Sequence, residues 1–177
     1  KAPRLQGTDF NRSLMERLAG RRGFDPKVLE ANYRSHETVI HFSSITWYGD
    51  KVFAAHPPNH FPMIRGVYWP GNGWERTIFV NVDGTETREE GGAIANRAER
   101  DVLALILNEV LSANEWEGGE LNTQKIGVIS PYTAQANLLR KGLREKTGVD
   151  VRAATVTSFQ GSERDLILLS AVRANLT

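Results

Sequence analysis

The sequence contains no cysteine, which excludes disulfide frameworks and thiolate metal sites. It also lacks an apolar run of the roughly 18–20 residues that a transmembrane helix needs. The first residues, KAPRLQGTDF, have no signal-peptide pattern and are typical of a chain entered in mid-protein. We therefore expect a soluble piece of an intracellular protein, cytoplasmic with the nucleus as the alternative, and no membrane partner.

Excess charge and metal-binding histidine patterns are also scarce. The chain has 22 basic and 21 acidic residues, a net charge of +1. Nucleic-acid binders usually carry a strong basic excess, so any such binding must depend on local patches. The four histidines, His36, His41, His56 and His60, have no familiar zinc spacing, and His36 and His41 are five residues apart, which does not match helical neighbours. We predict no metal site on these residues.

What the sequence does contain, in its second half, is an alternation of strand and helix patterns. Asn96 and Glu99 have the spacing of a capping box and predict the start of a helix with a buried apolar stripe. A second helix is predicted with Ser130 as its cap, Pro131 as its first residue and an end near Lys146, before Gly148. Strands are predicted over Lys125–Ser130, Val151–Val156 and Leu166–Val172.

The first half is more mixed. It predicts helices over Ser13–Ala19 and, capped by Ser35, over His36–Trp47, strands over Val28–Ala31 and Thr77–Val82, and loops over His56–Pro62 and Asp83–Gly92. A further loop, in the second half, is predicted over Glu115–Thr123. No loop is long enough to demand a second domain. The fold class we predict is α/β, one domain over residues 1–177 with a central parallel sheet flanked by helices.

Three polar segments follow predicted strands, where open α/β sheets bind ligands. They are Asn32–His36, Ser130–Gln135 and Val156–Glu163. Arg34 has the group that matches phosphate oxygens in a bidentate way, but it could equally be a surface arginine paired with an acid. Tyr33 could stack on a base or belong to the core. Taken singly, neither residue decides the function.

The other two segments also allow either a ligand contact or a purely structural role. The Gln160–Gly161 backbone could approach a phosphate closely, because glycine has no Cβ, or could simply form a turn. Glu163 could accept a hydrogen bond from a ribose hydroxyl or solvate a loop. Ser130–Pro131 is a sound helix start that needs no function, although a helix N-terminus can bind phosphate.

Together the segments resemble the superfamily 1 RNA helicases of the Upf type, which include regulators of nonsense transcripts. The matching stretches cover the chain in the family's order, and the NYRSHE form is most similar to the branch of the zinc-finger and Moloney-leukaemia-virus-type helicases. The four matching stretches are SLMERL (13–18), NYRSHETVIHFSS (32–44), IGVISPYTAQ (126–135) and VTSFQGSERDLILLSAVRAN (156–175). The resemblance implies the second, carboxyl-terminal RecA-like (P-loop NTPase-like) domain of such an enzyme.

The resemblance also implies roles for single residues. Arg34 matches the arginine that reaches the γ-phosphate of ATP from the second domain, and Tyr33 the aromatic that stacks near adenine. Glu163 matches the glutamate that contacts the ribose, and Gln160 and Gly161 line the same cleft. Residues that match the path of the single strand are Ser130, Pro131, Tyr132, Gln135, Thr155 and Thr157.

Several family features are missing from these residues. The family usually has an acidic residue at Thr157 and a basic residue at Ser162. No G-x-x-x-x-G-K-[ST] loop and no Asp-Glu pair for magnesium occur, and the family's later arginine motif lies beyond Thr177. We therefore expect ATP and Mg²⁺ to be held largely by a first RecA-like domain of the same protein, and the isolated 177 residues not to hydrolyse ATP.

The resemblance implies single-stranded RNA as the partner and 5′-to-3′ travel. DNA remains an alternative strand, and a degenerate module that only binds RNA or a protein remains an alternative function. The helix after Pro131 carries Arg140, Lys141, Arg144 and Lys146. We favour a solvated helix face for these cations, since the helix dipole stabilises cations near a C-terminus, with direct RNA contact as the alternative.

Overall fold

The computed structural model describes residues 12–88, 92–113, 116, 119 and 122–173. Residues 1–10, Ala174 and Asn175 of the fourth stretch, and most of the predicted 115–123 loop lie outside the described residues, as do 89–91. The chain divides into two compact units, Lys1–His56 and Pro57–Thr177. Each unit is described by itself, and the single domain over 1–177 stays a prediction.

In residues 12–56, the described part of the first unit, there are two helices and a two-stranded parallel sheet. These are α1 (Leu14–Ala19), β1 (Ala31–Asn32), α2 (Glu37–Tyr48) and β2 (Phe53–Ala54), with β1 paired to β2. Ser13 caps α1 by accepting a hydrogen bond from the Glu16 N–H at 3.1 Å, which confirms the predicted helix. The first strand, predicted over Val28–Ala31, instead covers Ala31–Asn32 and so overlaps only the end of the predicted range.

The cap of α2 differs from the prediction. His36, not Ser35, is the N-cap, and its Nδ1 accepts from the Thr38 N–H at 3.3 Å. Ser35 instead donates its backbone N–H to Asn32 Oδ1 at 2.9 Å, so it belongs to the turn that precedes the helix. The helix ends at Gly49, which adopts the left-handed conformation (φ 59°) that glycine tolerates best.

The second unit is built around a parallel sheet with the order β6–β5–β7. Its strands are β5 (Ile126–Ser130), β6 (Arg152–Thr155) and β7 (Leu166–Leu169). The helices are α3 (Arg97–Ala113), α4 (Thr133–Thr147) and α5 (Val156–Phe159), and an antiparallel pair is formed by β3 (Thr87–Arg88) and β4 (Ile94–Ala95). The described residues are thus mixed α/β with small parallel sheets, as the fold class predicts.

The core of the second unit lies between the sheet and helices α3 and α4. Leu107, Leu139, Leu143, Ile126 and Val128 are completely buried there. Burying one such side chain contributes about 2 kcal/mol to folding. The predicted stripe on α3 is confirmed at Leu103, Leu107 and Val110, whereas Leu105 is largely exposed.

Two predicted elements of this unit are wrong. Residues 77–82 form no strand, and Phe79 is 88% exposed, because apolar alternation needs a neighbouring strand to pair with before it becomes a strand. The helix after β5 begins at Thr133 with Tyr132 as its N-cap, not at Pro131. Ser130 is still paired with Thr155 in the sheet, so Pro131 and Tyr132 form the connecting turn. The predicted end at Gly148 is confirmed.

Candidate functional site

The carboxyl edge of the parallel sheet brings residues from separate motifs together. Ser130 is the register partner of Thr155, and Ile129 that of Leu169. Ser170, just after β7, donates its backbone N–H to the Ile129 carbonyl at 3.0 Å. Three polar residues from three strands therefore share one edge, because parallel strands end on the same side.

The turn between β5 and α4 leaves this edge. Ser130 is fully buried, and its Oγ accepts from the Tyr132 N–H at 3.3 Å. Pro131 is exposed and Tyr132 half-buried. Ser130 therefore shapes the turn, while Pro131 and Tyr132 are the members that a ligand can reach.

Gln135 is placed differently from the sequence prediction. Its side chain is 0% exposed, and its hydrogen bonds go to Asn96 and Ser170. A direct contact between this side chain and a nucleic acid is therefore incompatible with the structure, which corrects the predicted role. The sequence prediction placed Gln135 among the residues that contact the strand because it lies in the same motif, about one helical turn beyond the accessible Pro131 and Tyr132.

The short helix α5 starts at the same edge. Thr155 caps it, with Oγ1 accepting from the Ser158 N–H at 3.3 Å and lying 2.9 Å from Ser158 Oγ. Thr157 is exposed, whereas Thr155 is half-buried. Thr155 is therefore the register partner of Ser130, and Thr157, two residues further along the chain, has the more accessible hydroxyl.

The predicted nucleotide residues of the second unit follow α5. Because Thr155 pairs at the carboxyl edge and Leu166 pairs with Ile126 at the opposite edge, the segment 156–165 runs from one edge back to the other. Gln160, Gly161 and Glu163 lie on this return and are exposed. The structure therefore separates them from the Thr155–Thr157 part of the same motif.

An arginine–aromatic cluster, which sequence reasoning missed, holds this return segment. The guanidinium of Arg152 lies 4.6 Å from the ring centroid of Phe159, and that of Arg164 lies 5.9 Å from it. Arg152 also donates to Ser162 Oγ at 3.1 Å and to the Ser158 carbonyl at 3.0 Å. Two arginines flanking an aromatic residue in sequence are the signal that could have indicated it.

In the first unit, Tyr33 and Arg34 lie directly after β1. Asn32 Oδ1 accepts from the backbone N–H of Arg34 at 3.0 Å and of Ser35 at 2.9 Å, forming an Asx turn. Both Tyr33 and Arg34 are exposed, Tyr33 by 68%. The Tyr33 ring meets His56 edge-on, with centroids 5.6 Å apart. The turn therefore presents an aromatic ring and a guanidinium side by side in sequence.

Arg173 is a further residue that the prediction did not single out. Its Nε donates to Glu86 Oε2 at 2.9 Å. The charge of Glu86 and the hydrogen bond to it are the main causes that raise the pKa of Arg173 above its ordinary value, and the nearby Tyr132 side chain adds to them. Glu86 thus holds a cation that lies near Tyr132, in the turn at the carboxyl edge. The position of Arg173 just after an apolar strand is the sequence signal that could have indicated it.

Three of the four cations of α4 make contacts within the second unit. Arg140 donates to the Ala153 carbonyl at 2.9 Å, Lys141 lies 3.9 Å from Glu145, and Lys146 lies 3.3 Å from Asp101. These contacts favour the solvated helix face over direct RNA contact.

Metal and membrane features can be judged only for the described part of the chain. There, no group of three or more histidine, aspartate or glutamate side chains is placed to hold a metal ion. Among the helices that the structure describes, none combines the length and apolar character of a membrane-spanning segment.

The exposed groups fit a nucleotide in their chemistry. A guanidinium suits phosphate, an aromatic ring suits a base, and a carboxylate suits a ribose hydroxyl; Arg34, Tyr33 and Glu163 carry these groups. Gly161 has a φ of 79°, and no heavy atom lies within 4 Å of the position its Cβ would take. That open backbone leaves room for a ligand at the turn.

Comparison with known proteins defines the class. The sequence pattern of the AAA domain family matches residues 10–177, and the chain belongs to this family. It is 30% identical over 183 residues to the 3′-5′ exoribonuclease HELZ2 of Homo sapiens, covering 98% of this chain and 6% of that protein. It is 27% identical over 173 residues to regulator of nonsense transcripts 1 of Dictyostelium discoideum (94% and 12%).

A third relative is the DNA polymerase alpha-associated DNA helicase A of Saccharomyces cerevisiae. The identity is 28% over 162 residues, covering 84% of this chain and 23% of that protein. The chain therefore spans between 6% and 23% of the length of these three relatives.

Proposed function

We propose that the chain is the second RecA-like domain of an ATP-dependent RNA helicase of superfamily 1, with its β strands forming one central parallel sheet in the intact motor. The observation that carries the proposal is the shared carboxyl edge, where Ser130 pairs with Thr155 and Ser170 bonds Ile129. Ligands of open α/β sheets bind at this edge. Family membership and the helicase relatives support the same function.

Five residues of the motifs would contact the nucleotide. Arg34 would neutralise charge on the transferring phosphoryl group, which is what phosphoryl transfer needs from a protein. Tyr33 would stack near the base, and Glu163 would accept a hydrogen bond from the ribose, with Gln160 and Gly161 beside it. ATP with Mg²⁺ supplies the energy of the motor, and a first RecA-like domain would supply the phosphate loop and the metal ligands.

The single strand would follow the carboxyl edge of the second unit. Pro131, Tyr132 and Thr157 are the accessible members of the predicted path. Ser130 and Thr155 would support them from within, since Ser130 is buried and Thr155 caps α5. Contacts of this kind track a backbone without reading bases, as translocation requires. We expect the protein in the cytoplasm, with the nucleus as the alternative.

Two other functions remain open to test. The similarity to a protein named a DNA helicase makes DNA the alternative strand. A degenerate module that binds RNA or a protein without catalysis is the other, and the exposed trio of Tyr33, Arg34 and Glu163 favours the motor over it. A scaffold has no evident use for those three groups.

The experiment is the strand-stimulated ATPase rate of the full-length protein, measured with Arg34→Ala and with matched RNA and DNA strands. We expect the substitution to lower kcat by about a thousandfold, because an arginine supplied across a cleft contributes on that scale. Arg22→Ala, which removes an exposed arginine from the same unit, is the control and should retain the rate. Equal rates for the two variants, or an inactive wild type, would favour the binding module.

A further inference from the structure

The buried carboxamide of Gln135 joins two segments that are distant in sequence. Its Oε1 accepts from the Asn96 N–H at 2.8 Å, and its Nε2 donates to the Asn96 carbonyl at 3.0 Å and to Ser170 Oγ at 2.9 Å. The backbone of Asn96 fixes which end of the amide is which, because an N–H must donate and a carbonyl must accept. Both hydrogens of Nε2 are therefore used.

The contacts continue through Glu99 at the start of α3. Ser170 donates its hydroxyl to Glu99 Oε2 at 2.5 Å, and the Val172 N–H donates to the same oxygen at 3.0 Å. Asn96 donates its side-chain amide to the Val172 carbonyl at 3.3 Å. The segment just after β7 is thus held at the Ser170 hydroxyl and at both backbone groups of Val172.

These bonds hold Val172 in an unusual conformation. Its φ is 71°, a left-handed value that a β-branched residue rarely adopts, and its side chain is 2% exposed. Such a conformation persists only where surrounding contacts enforce it. Arg173 follows directly, and its Nε donates to Glu86 Oε2 at 2.9 Å. The network therefore fixes the backbone from which the Arg173 side chain extends.

The start of α4 depends on the same tether. Tyr132 is the N-cap, yet it makes no side-chain capping bond. Gln135 lies in the first turn of this helix, so its three hydrogen bonds attach that turn to α3 and β7. An apolar side chain of the same size would leave the Asn96 N–H without its acceptor, and the Asn96 carbonyl with only its bond from the Arg100 N–H, which is unfavourable.

We infer that Gln135 is a positioning residue that holds the Pro131–Tyr132 turn, and through Ser170 and Glu99 the Arg173 side chain, in the geometry that receives a single strand. The inference rests on the proposed function, since it assigns the strand to this turn. Gln135 touches neither strand nor nucleotide and acts only through its buried partners.

The test compares Gln135→Leu with Asn137→Leu in the full-length protein. Both substitutions remove a carboxamide from the first part of α4, but Asn137 is exposed and bonds only Arg140 among the described contacts. The measurements are the dissociation constant for a labelled single-stranded oligouridine, the strand concentration for half-maximal ATPase activation, and kcat at saturating strand.

We expect Gln135→Leu to weaken strand binding and raise the activation concentration about tenfold, which corresponds to losing the net contribution of one or two buried hydrogen bonds. At saturating strand, kcat should stay within about twofold, because a positioning loss is recovered by excess ligand. Ser170→Ala, a milder change, should act in the same direction. The double variant should lose less than the product of the single effects, since both residues act in one network.

Hydrogen exchange at the turn gives a readout that needs no strand. In Gln135→Leu the amide of Ala136, which bonds the Tyr132 carbonyl, should exchange faster, while the amides of β5 keep their protection. Unchanged exchange and unchanged strand affinity would overturn the inference, as would a loss of thermal stability with affinity intact. A wild-type protein that binds no strand would overturn the proposed function instead. The exchange rate of the Ala136 amide in Gln135→Leu would then show whether Gln135 holds the turn, independently of strand binding.

Discussion

Gly127 in β5 lies directly against the ring of Phe159 from α5. A Cβ placed on Gly127 would stand 2.7 Å from Cε1 of Phe159, 2.9 Å from Cδ1 of Ile167 and 3.1 Å from Cγ of Arg164. Real Cβ atoms do not approach other atoms at the shortest of these distances. The absence of a side chain at residue 127 therefore allows α5 to pack on the sheet and sets where the segment with Gln160 and Glu163 begins.

Gly127→Ala should destabilise the second unit by about 1–3 kcal/mol, the usual cost of adding a methyl group to a packed site. Urea unfolding measures it. Gly20→Ala is the matched control, because Gly20 has an ordinary φ of −83° and its Cβ would meet its nearest neighbour at 3.9 Å. Replacing the ring as well, in Gly127→Ala/Phe159→Leu, should recover part of the loss. A Gly127→Ala protein as stable as Gly20→Ala would contradict the packing described.

Asp101 gives a prediction for pH. Desolvation raises its pKa, but the hydrogen bonds and charges of Arg100 and Lys146, at 2.6 and 3.3 Å, outweigh it, so the net pKa is lowered from 3.8. A lowered folded pKa means that the stabilisation is present above pH 3.8 and is lost as the pH falls through the folded pKa.

Asp101→Asn should therefore lower the free energy of unfolding at neutral pH by less than about 1 kcal/mol, because the side chain is 45% exposed and solvent screens the pair. The difference from the wild type should shrink towards zero in acid. Thermal melts across pH check this. Asp83→Asn, which removes a carboxylate from an exposed loop, should show no such pattern. If the stability difference between Asp101→Asn and the wild type grew in acid, the predicted direction of the pH dependence would be wrong.

The isolated 177 residues should not hydrolyse ATP. They contain no phosphate-binding loop with its lysine and no Asp-Glu pair for magnesium, and phosphoryl transfer requires those groups. Phosphate release with and without single-stranded RNA is the measurement, and the full-length protein is the positive control. Turnover by the isolated chain that disappears in Arg34→Ala would contradict the prediction.

Some helix ends were predicted correctly and others were not. Asn96 Oδ1 accepts from the Glu99 N–H at 3.1 Å and Gly148 ends α4, both as the sequence indicated, and Ser13, predicted as part of the first helix, is its cap. The predicted caps Ser35 and Ser130 were wrong. Caps act over a few residues, so the sequence contains the whole interaction. The capping box is only half formed, because the Asn96 N–H bonds Gln135 and the Glu99 carboxylate bonds Ser170 and Val172.

Errors arose where a distant partner decides the outcome. Residues 77–82 have strand propensity but form no strand, and Ser130 remains in the sheet instead of capping α4. For the site, the exposure of Tyr33, Arg34 and Thr157 agrees with roles in contact. The motif match could not distinguish them from Gln135, since a motif records residue type and spacing but not the direction of a side chain.

The sequence by itself determined the family of this chain, the main helices and the residue types that we propose to contact nucleotide and strand, because these follow from local periodicity and from motifs of fixed spacing. Only the tertiary structure decided which of those residues are accessible and which support others. Gln135 and Asn96 are 39 residues apart, and Glu99 and Val172 are 73 apart. Contacts over such separations form only when the sheet and helices pack, so no local pattern contains them.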